Sequence, residues 1–120
     1  MLHQPEVNDK MRAILIDWLI DVHLKFKLLP ETMFITVSII DRFLEKVNVS
    51  KSKLQLVGVT ALMIASKYEE IYPPEVKDYV YITDRAYNKA EILNMEFNIL
   101  STLSFDVTFP TSYRFVEKYS

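Results

Sequence analysis

The chain has 120 residues, half of them hydrophobic and a quarter charged, which suits one domain built on a single sizeable core. Fourteen Lys and Arg against sixteen Asp and Glu leave a formal net charge of −2, a poor footprint for neutralising nucleic-acid phosphates. The absence of cysteine excludes disulfides, cysteine-ligated zinc and thiol nucleophiles, and a single glycine, Gly58, excludes Gly-rich phosphate loops and argues against an all-β fold with many tight hairpins.

Apolar residues at helical spacing divide the chain into five predicted helices, and no repeat or low-complexity stretch interrupts them. The first spans about residues 8–27. Asn8 or Asp9 can cap it, Met11, Ile14, Leu15, Trp18, Leu19, Val22 and Phe26 recur at helical spacing, and Leu28-Leu29-Pro30 ends it, because proline disfavours helix in the residue before it. The second spans about 30–47. Pro30 and Glu31 suit its first turn, and Met33, Val37, Ile40 and Leu44 share one face, with Phe34 and Phe43 beside it. The third spans about 51–69, with Ser50 as its cap. Its middle, LQLVGVTALMIAS, is apolar nearly all round, the pattern of a buried bundle centre. Gly58, Ala61, Ala65 and Ser66 are small enough to let neighbouring helices approach, which offsets the roughly 1 kcal/mol that glycine costs a helix relative to alanine. The fourth is short, about 74–81, entered through the stiff Tyr72-Pro73-Pro74. The fifth spans about 88–103, with Asn88 and Glu91 at capping-box spacing and Ile92, Met95, Ile99 and Leu103 as its stripe. The tail, FDVTFPTSYRFVEKYS, reads as a linker and the stub of a further helix, since Tyr113, Phe115, Val116 and Tyr119 call for a covering domain.

Catalytic chemistry has little to work with. His3 lies near the start, and His23, between Val22 and Leu24, reads as a partly exposed helix histidine; neither has metal-ligand spacing to a second histidine. Glu69 and Glu70 are sequence neighbours, so on a helix their carboxylates diverge. No nucleophile, base and orienting group come together, and the expectation is a binding protein without metal or cofactor. The first residues carry no signal-peptide-like apolar stretch and no apolar run reaches the ~18–20 residues needed to cross a bilayer, so an intracellular protein, in nucleus or cytoplasm, is expected.

From MRAILIDWL (residues 11–19) onward the sequence resembles the cyclin box. The match continues, in order and at matching spacing, through DRFL (41–44), KLQLVGVTALMIASKYEEIYPPEV (53–76), YITDRAY (81–87) and NMEFNIL (94–100). The forms MRAILIDWLIDVHLKFKL and LQLVGVTALMIASKYEE are most similar to B-type, G2/mitotic cyclins. The resemblance implies an all-α, five-helix bundle with a central buried third helix. It divides the chain into a lead-in (1–10), an N-terminal cyclin box (11–108) and a linker with the stub of a second box (109–120). It also implies a regulatory subunit that binds and allosterically activates a cyclin-dependent Ser/Thr protein kinase of the mitotic type, and helps recruit its substrates at G2/M.

The same resemblance implies the site residues. Lys67 and Glu96, two opposite charges in apolar stretches, match the kinase-contacting pair of the family; composition alone would leave them an ordinary solvated pair at helix margins. Ile64, Tyr68, Glu70, Leu100 and Phe105 match kinase-interface positions, with core packing the rival reading for Ile64 and Leu100 and anchoring favoured for the aromatic Tyr68 and Phe105. Arg12 and Asp41 match a structural ion pair that ties the first two helices together. Met11, Ile14, Leu15 and Trp18 lie at i, i+3, i+4, i+7, a spacing that on its own favours the core face of a helix. The resemblance instead assigns them, with Leu54 and Gln55, to a patch that docks Arg-x-Leu motifs of substrate or inhibitor proteins, and gives Asp21 the task of receiving the motif's basic side chain. Asp is one methylene shorter than the Glu of some family members.

Two other classes compete. General transcription factor IIB shares the box fold, but a nucleic-acid-linked role requires a basic surface that the net charge of −2 disfavours. An enzyme built around Lys67, Glu96 and His23 is the remote third reading. Neither nucleic-acid nor membrane partners are expected.

Overall fold

Five α-helices run through the described residues, 9–103, of the computed structural model: α1 (Asp9–Lys25), α2 (Pro30–Lys46), α3 (Leu54–Glu69), α4 (Val76–Ile82) and α5 (Lys89–Thr102). The expected tail helix, Phe105 and the candidate cap Asn8 lie outside these residues.

Chain punctuation is set by local hydrogen bonds, and several differ from the expected ones. α1 stops two residues before the expected Lys27, and proline is not what stops it. Lys27 turns into the left-handed region (φ 57°), its amide donates to the Leu24 carbonyl (3.1 Å), and the Leu28 amide donates to the His23 carbonyl (3.0 Å). That paired pattern closes a helix end and folds the apolar residue after it, here the buried Leu28, back onto the core. α4 ends in the same way, with Asp84 and Arg85 both left-handed, the Asp84 amide on Tyr81 and the Arg85 amide on Val80. Glycine would adopt such φ values at no steric cost, but the chain's one glycine lies inside α3.

Ser50 does not cap the third helix. Its hydroxyl lies 3.1 Å from that of Ser52, and a 3-10 turn, Lys51–Lys53, leads directly into α3. α4 begins at Val76 rather than Pro74, because the Asp78 carboxylate accepts the Glu75 amide (2.9 Å) and closes the first turn there. At α5 the expected box forms: Asn88 accepts the Glu91 amide (2.8 Å) and Glu91 accepts the Asn88 amide (3.0 Å).

α3 is the centre of the bundle and packs against all four other helices. Leu54 and every residue from Leu56 to Ser66 are buried, as a helix apolar on all sides requires. The polar groups at its far end are satisfied in a short buried chain: the Tyr79 hydroxyl donates to Ser66 Oγ (2.9 Å), which donates to the Met63 carbonyl (2.8 Å). Burial holds the Tyr79 phenol well above its ordinary range, and its ring meets Phe26 edge to face at 5.4 Å between centroids, locking α4 onto the α1 end. Gly58 sits where α1 crosses. A Cβ there would come within 2.7 Å of Leu15 Cδ1, so the close approach inferred from its size is made with Leu15.

Candidate functional site

Two surfaces of the bundle combine chemistry with exposure. The first is a groove of about 380 Å³ between α1 and the entry to α3, lined by Met11, Ile14, Leu15, Trp18, Lys51, Leu54 and Gln55. α1 supplies the stripe and divides it: Leu15 and Leu19 go into the core, whereas Ile14 is 59 % exposed. A stripe serving only the core would bury Ile14 as well. Six of the seven proposed docking residues therefore share one concavity. Asp21 does not line it; this residue is exposed, one turn beyond Trp18 on α1. Lys51, which the sequence reading passed over, does line it.

The second surface is the edge where the end of α3 meets α5. Lys67 Nζ donates to Glu96 Oε2 at 2.6 Å; the lysine side chain is half exposed and the glutamate mostly covered. α5 carries two apolar stripes. Ile92, Met95, Ile99 and Leu103 turn to the core, as expected. Leu93, Phe97 and Leu100, with Glu96 among them, repeat the i, i+3, i+4, i+7 spacing on a second face, where Leu93 and Phe97 stay exposed. Lys67 and Leu93 line one recess together with Pro73, Pro74 and Val76.

The family described as "Cyclin, N-terminal domain" matches residues 1–108. The chain belongs to this cyclin N-terminal domain family. Cyclin-B1-3 of Arabidopsis thaliana is 58 % identical over 97 % of this chain and 28 % of its own length. G2/mitotic-specific cyclin-B of Marthasterias glacialis is 57 % identical over 96 % of this chain and 30 % of its own. A viral cyclin from herpesvirus saimiri superposes with a TM-score of 0.82 at 31 % identity, covering 88 % of this chain and 46 % of that one. The chain thus spans under a third of the length of these curated relatives. Cyclin domains are regulatory, non-catalytic modules implicated in the control of cyclin-dependent kinases.

The remaining site candidates of this cyclin domain fall into different settings. Arg12 and Asp41 join α1 to α2, with Arg12 Nε (2.9 Å) and a terminal guanidinium nitrogen (2.5 Å) donating to the same Asp41 oxygen. Ile64 is 3 % exposed and belongs to the core, and Leu100 and Tyr68 are half-buried against it. Glu70 is occupied inside the fold: its Oε2 accepts the Leu29 amide and the Thr32 hydroxyl, both at 2.6 Å, so a carboxylate from the end of α3 caps the start of α2. Sequence spacing gives no hint of this, because the partners are 38 and 41 residues away. The second stripe of α5 was legible, by contrast, as three further apolar residues out of phase with the first.

His23 departs from its expected partial exposure. It is 8 % exposed, and Nε2 donates to the Leu29 carbonyl at 2.8 Å, because the turn after α1 folds back over it. Lys67, Glu96 and His23 form no cluster: the first two pair with each other, and His23 serves the α1–α2 turn. Among the described residues no group of three His, Cys, Asp or Glu side chains could hold a metal ion, and no helix is long and apolar enough to cross a membrane.

Proposed function

We propose that this cyclin domain binds and allosterically activates a cyclin-dependent kinase of the mitotic type, as part of a B-type, G2/M regulatory subunit of nucleus or cytoplasm. The observation that carries the reading is the uncovered second stripe of α5. A soluble helix seldom leaves Leu93 and Phe97 in water beside a charged pair unless a partner covers them. Lys67 and Glu96 then act as polar anchors within an apolar contact. In the free chain each satisfies the other; in the complex both exchange that bond for main-chain groups of the kinase, which offer donors and acceptors at fixed positions. Tyr68, Leu100 and Phe105 extend the contact. Ile64 supports it from beneath, and Glu70 shapes it by tying α3 to α2.

Activation follows from differential affinity. A rigid α3–α5 edge that fits the kinase's mobile helix only in the active arrangement shifts the kinase toward that arrangement. ATP, magnesium and the catalytic groups belong to the kinase. The α1–α3 groove then takes an Arg-x-Leu motif of a substrate or inhibitor, the leucine among Leu15, Trp18 and Leu54 and the arginine toward exposed Asp21, raising local substrate concentration.

The test is capture of a mitotic cyclin-dependent kinase by the wild-type chain and by Lys67→Ala and Glu96→Ala. Capture weakened by both substitutions supports the reading. Equal capture by all three removes the anchors from the interface, and absence of capture by a folded wild-type chain overturns the proposal.

A further inference from the structure

We infer that Gly58 sets the depth of the docking groove and hence the size of the apolar side chain it accepts, an inference that rests on the reading of that groove as a peptide site. Gly58 does not line the groove; it lies beneath it, in the buried part of α3. Leu15 stands between the two. One side of its side chain forms groove wall, and the other lies where a Gly58 Cβ would be: 2.7 Å from Cδ1 and 3.2 Å from both Cδ2 and Cγ. Separations that short are repulsive for carbon atoms, whose optimum is about 3.5–4.0 Å.

The absent methyl therefore lets Leu15 retract into α3. Leu15 is 6 % exposed, so core atoms close it in on its other sides. The open space it borders is the groove. Any side chain at position 58 displaces Leu15 in that direction and makes the groove shallower. Glycine otherwise costs a helix interior stability relative to alanine, and here that cost is matched by room for a larger guest.

A change in depth predicts a change in preference, which general loosening of the fold does not. The gain or loss of about one methylene in an apolar pocket shifts relative binding roughly ten-fold or more. The measurement is titration of the full chain with synthetic peptides carrying Arg-x-Leu, Arg-x-Val and Arg-x-Ala, by fluorescence anisotropy, with circular dichroism reporting the fold. For Gly58→Ala we expect about ten-fold weaker Arg-x-Leu binding with Arg-x-Ala changed by less than about two-fold, and unchanged kinase capture, because Lys67 lies nine residues, roughly 13 Å, further along α3. Leu15→Val alone should shift preference toward larger guests, and adding Gly58→Ala to it should shift preference back. This pair carries the test should the single alanine variant fail to fold. Equal weakening of all peptides, or no response of the Leu15→Val background to Gly58→Ala, overturns the inference while leaving the docking reading standing. A wild-type chain that binds no Arg-x-Leu peptide overturns both.

Discussion

Two ion pairs in this domain look alike on paper and differ in use. Arg12–Asp41 and Lys67–Glu96 each join residues 29 apart in sequence, and each ties two helices together. At the α1–α2 junction a guanidinium places two nitrogens on one carboxylate oxygen, and both side chains are partly covered. At the α3–α5 edge a lysine makes a single contact from a half-exposed position, and the surface around it is apolar and uncovered. Arginine's planar fork is pre-organised for a two-point grip on a carboxylate, whereas lysine's ammonium swings on a flexible stem. A one-point pair on a flexible stem beside uncovered apolar surface can exchange partners; a two-point pair holds helices.

Five substitutions break or sharpen that contrast. The largest effect is expected on binding at the edge. Lys67→Ala and Glu96→Ala should each weaken kinase capture by about five-fold or more, because truncated anchors at the centre of a contact typically cost more than about 1 kcal/mol. Both should change unfolding stability by no more than about 1 kcal/mol, because the lysine end of the pair is half exposed. Quantitative pull-down and urea denaturation, run on the same preparations, read the two sides separately. A stability loss as large as the binding loss would make this pair a second clasp.

Glu70→Ala comes next. It removes the acceptor shared by the Leu29 amide and the Thr32 hydroxyl, and a lost helix-start acceptor costs about 1–2 kcal/mol. Its unfolding midpoint should fall, with kinase capture reduced less than by Lys67→Ala. The opposite ranking would assign Glu70 to the interface itself. Arg12→Ala should cost about 1 kcal/mol in unfolding and leave capture by the intact α3–α5 edge unchanged, given the partial exposure of both partners. Reduced capture at full stability would place the α1–α2 junction in the contact. The smallest effect belongs to Lys53→Ala. The Lys53–Glu91 pair is 3.7 Å long and exposed on both sides, so its loss should change neither stability by more than ~0.5 kcal/mol nor capture measurably.

The contrast was only partly visible in the linear chain. Helical periodicity identifies the five helices and the buried centre, because α3 is apolar on all sides and cannot be a surface helix. Capping chemistry at Asn88 is a matter of three residues, and it forms as the spacing predicts. Periodicity does not distinguish a stripe that faces the core from one that lines a groove. Met11, Ile14, Leu15 and Trp18 fit both, and the split between buried Leu15 and exposed Ile14 is decided by where α3 passes. Resemblance to the cyclin box supplied the pairing of Arg12 with Asp41 and the grouping of the patch residues, neither of which the spacing of single residues contains.

By itself the sequence determined the helix count, the central place of α3, the absence of cysteine and glycine-loop chemistry, and membership of a recognisable family. All of these follow from residue type and short-range spacing. The tertiary structure alone decided that helix α1 ends on a left-handed lysine, that His23 is buried under the following turn, that Glu70 caps a helix 38 residues away, and that Lys51 joins the groove while Asp21 stays outside it. The turn at Lys27 and the cover over His23 are made by bonds within residues 23–29, whereas the Glu70 cap and the make-up of the groove depend on which distant backbone passes within hydrogen-bonding or van der Waals range. That is set by the packing of all five helices around α3, and no local stretch of the chain contains it.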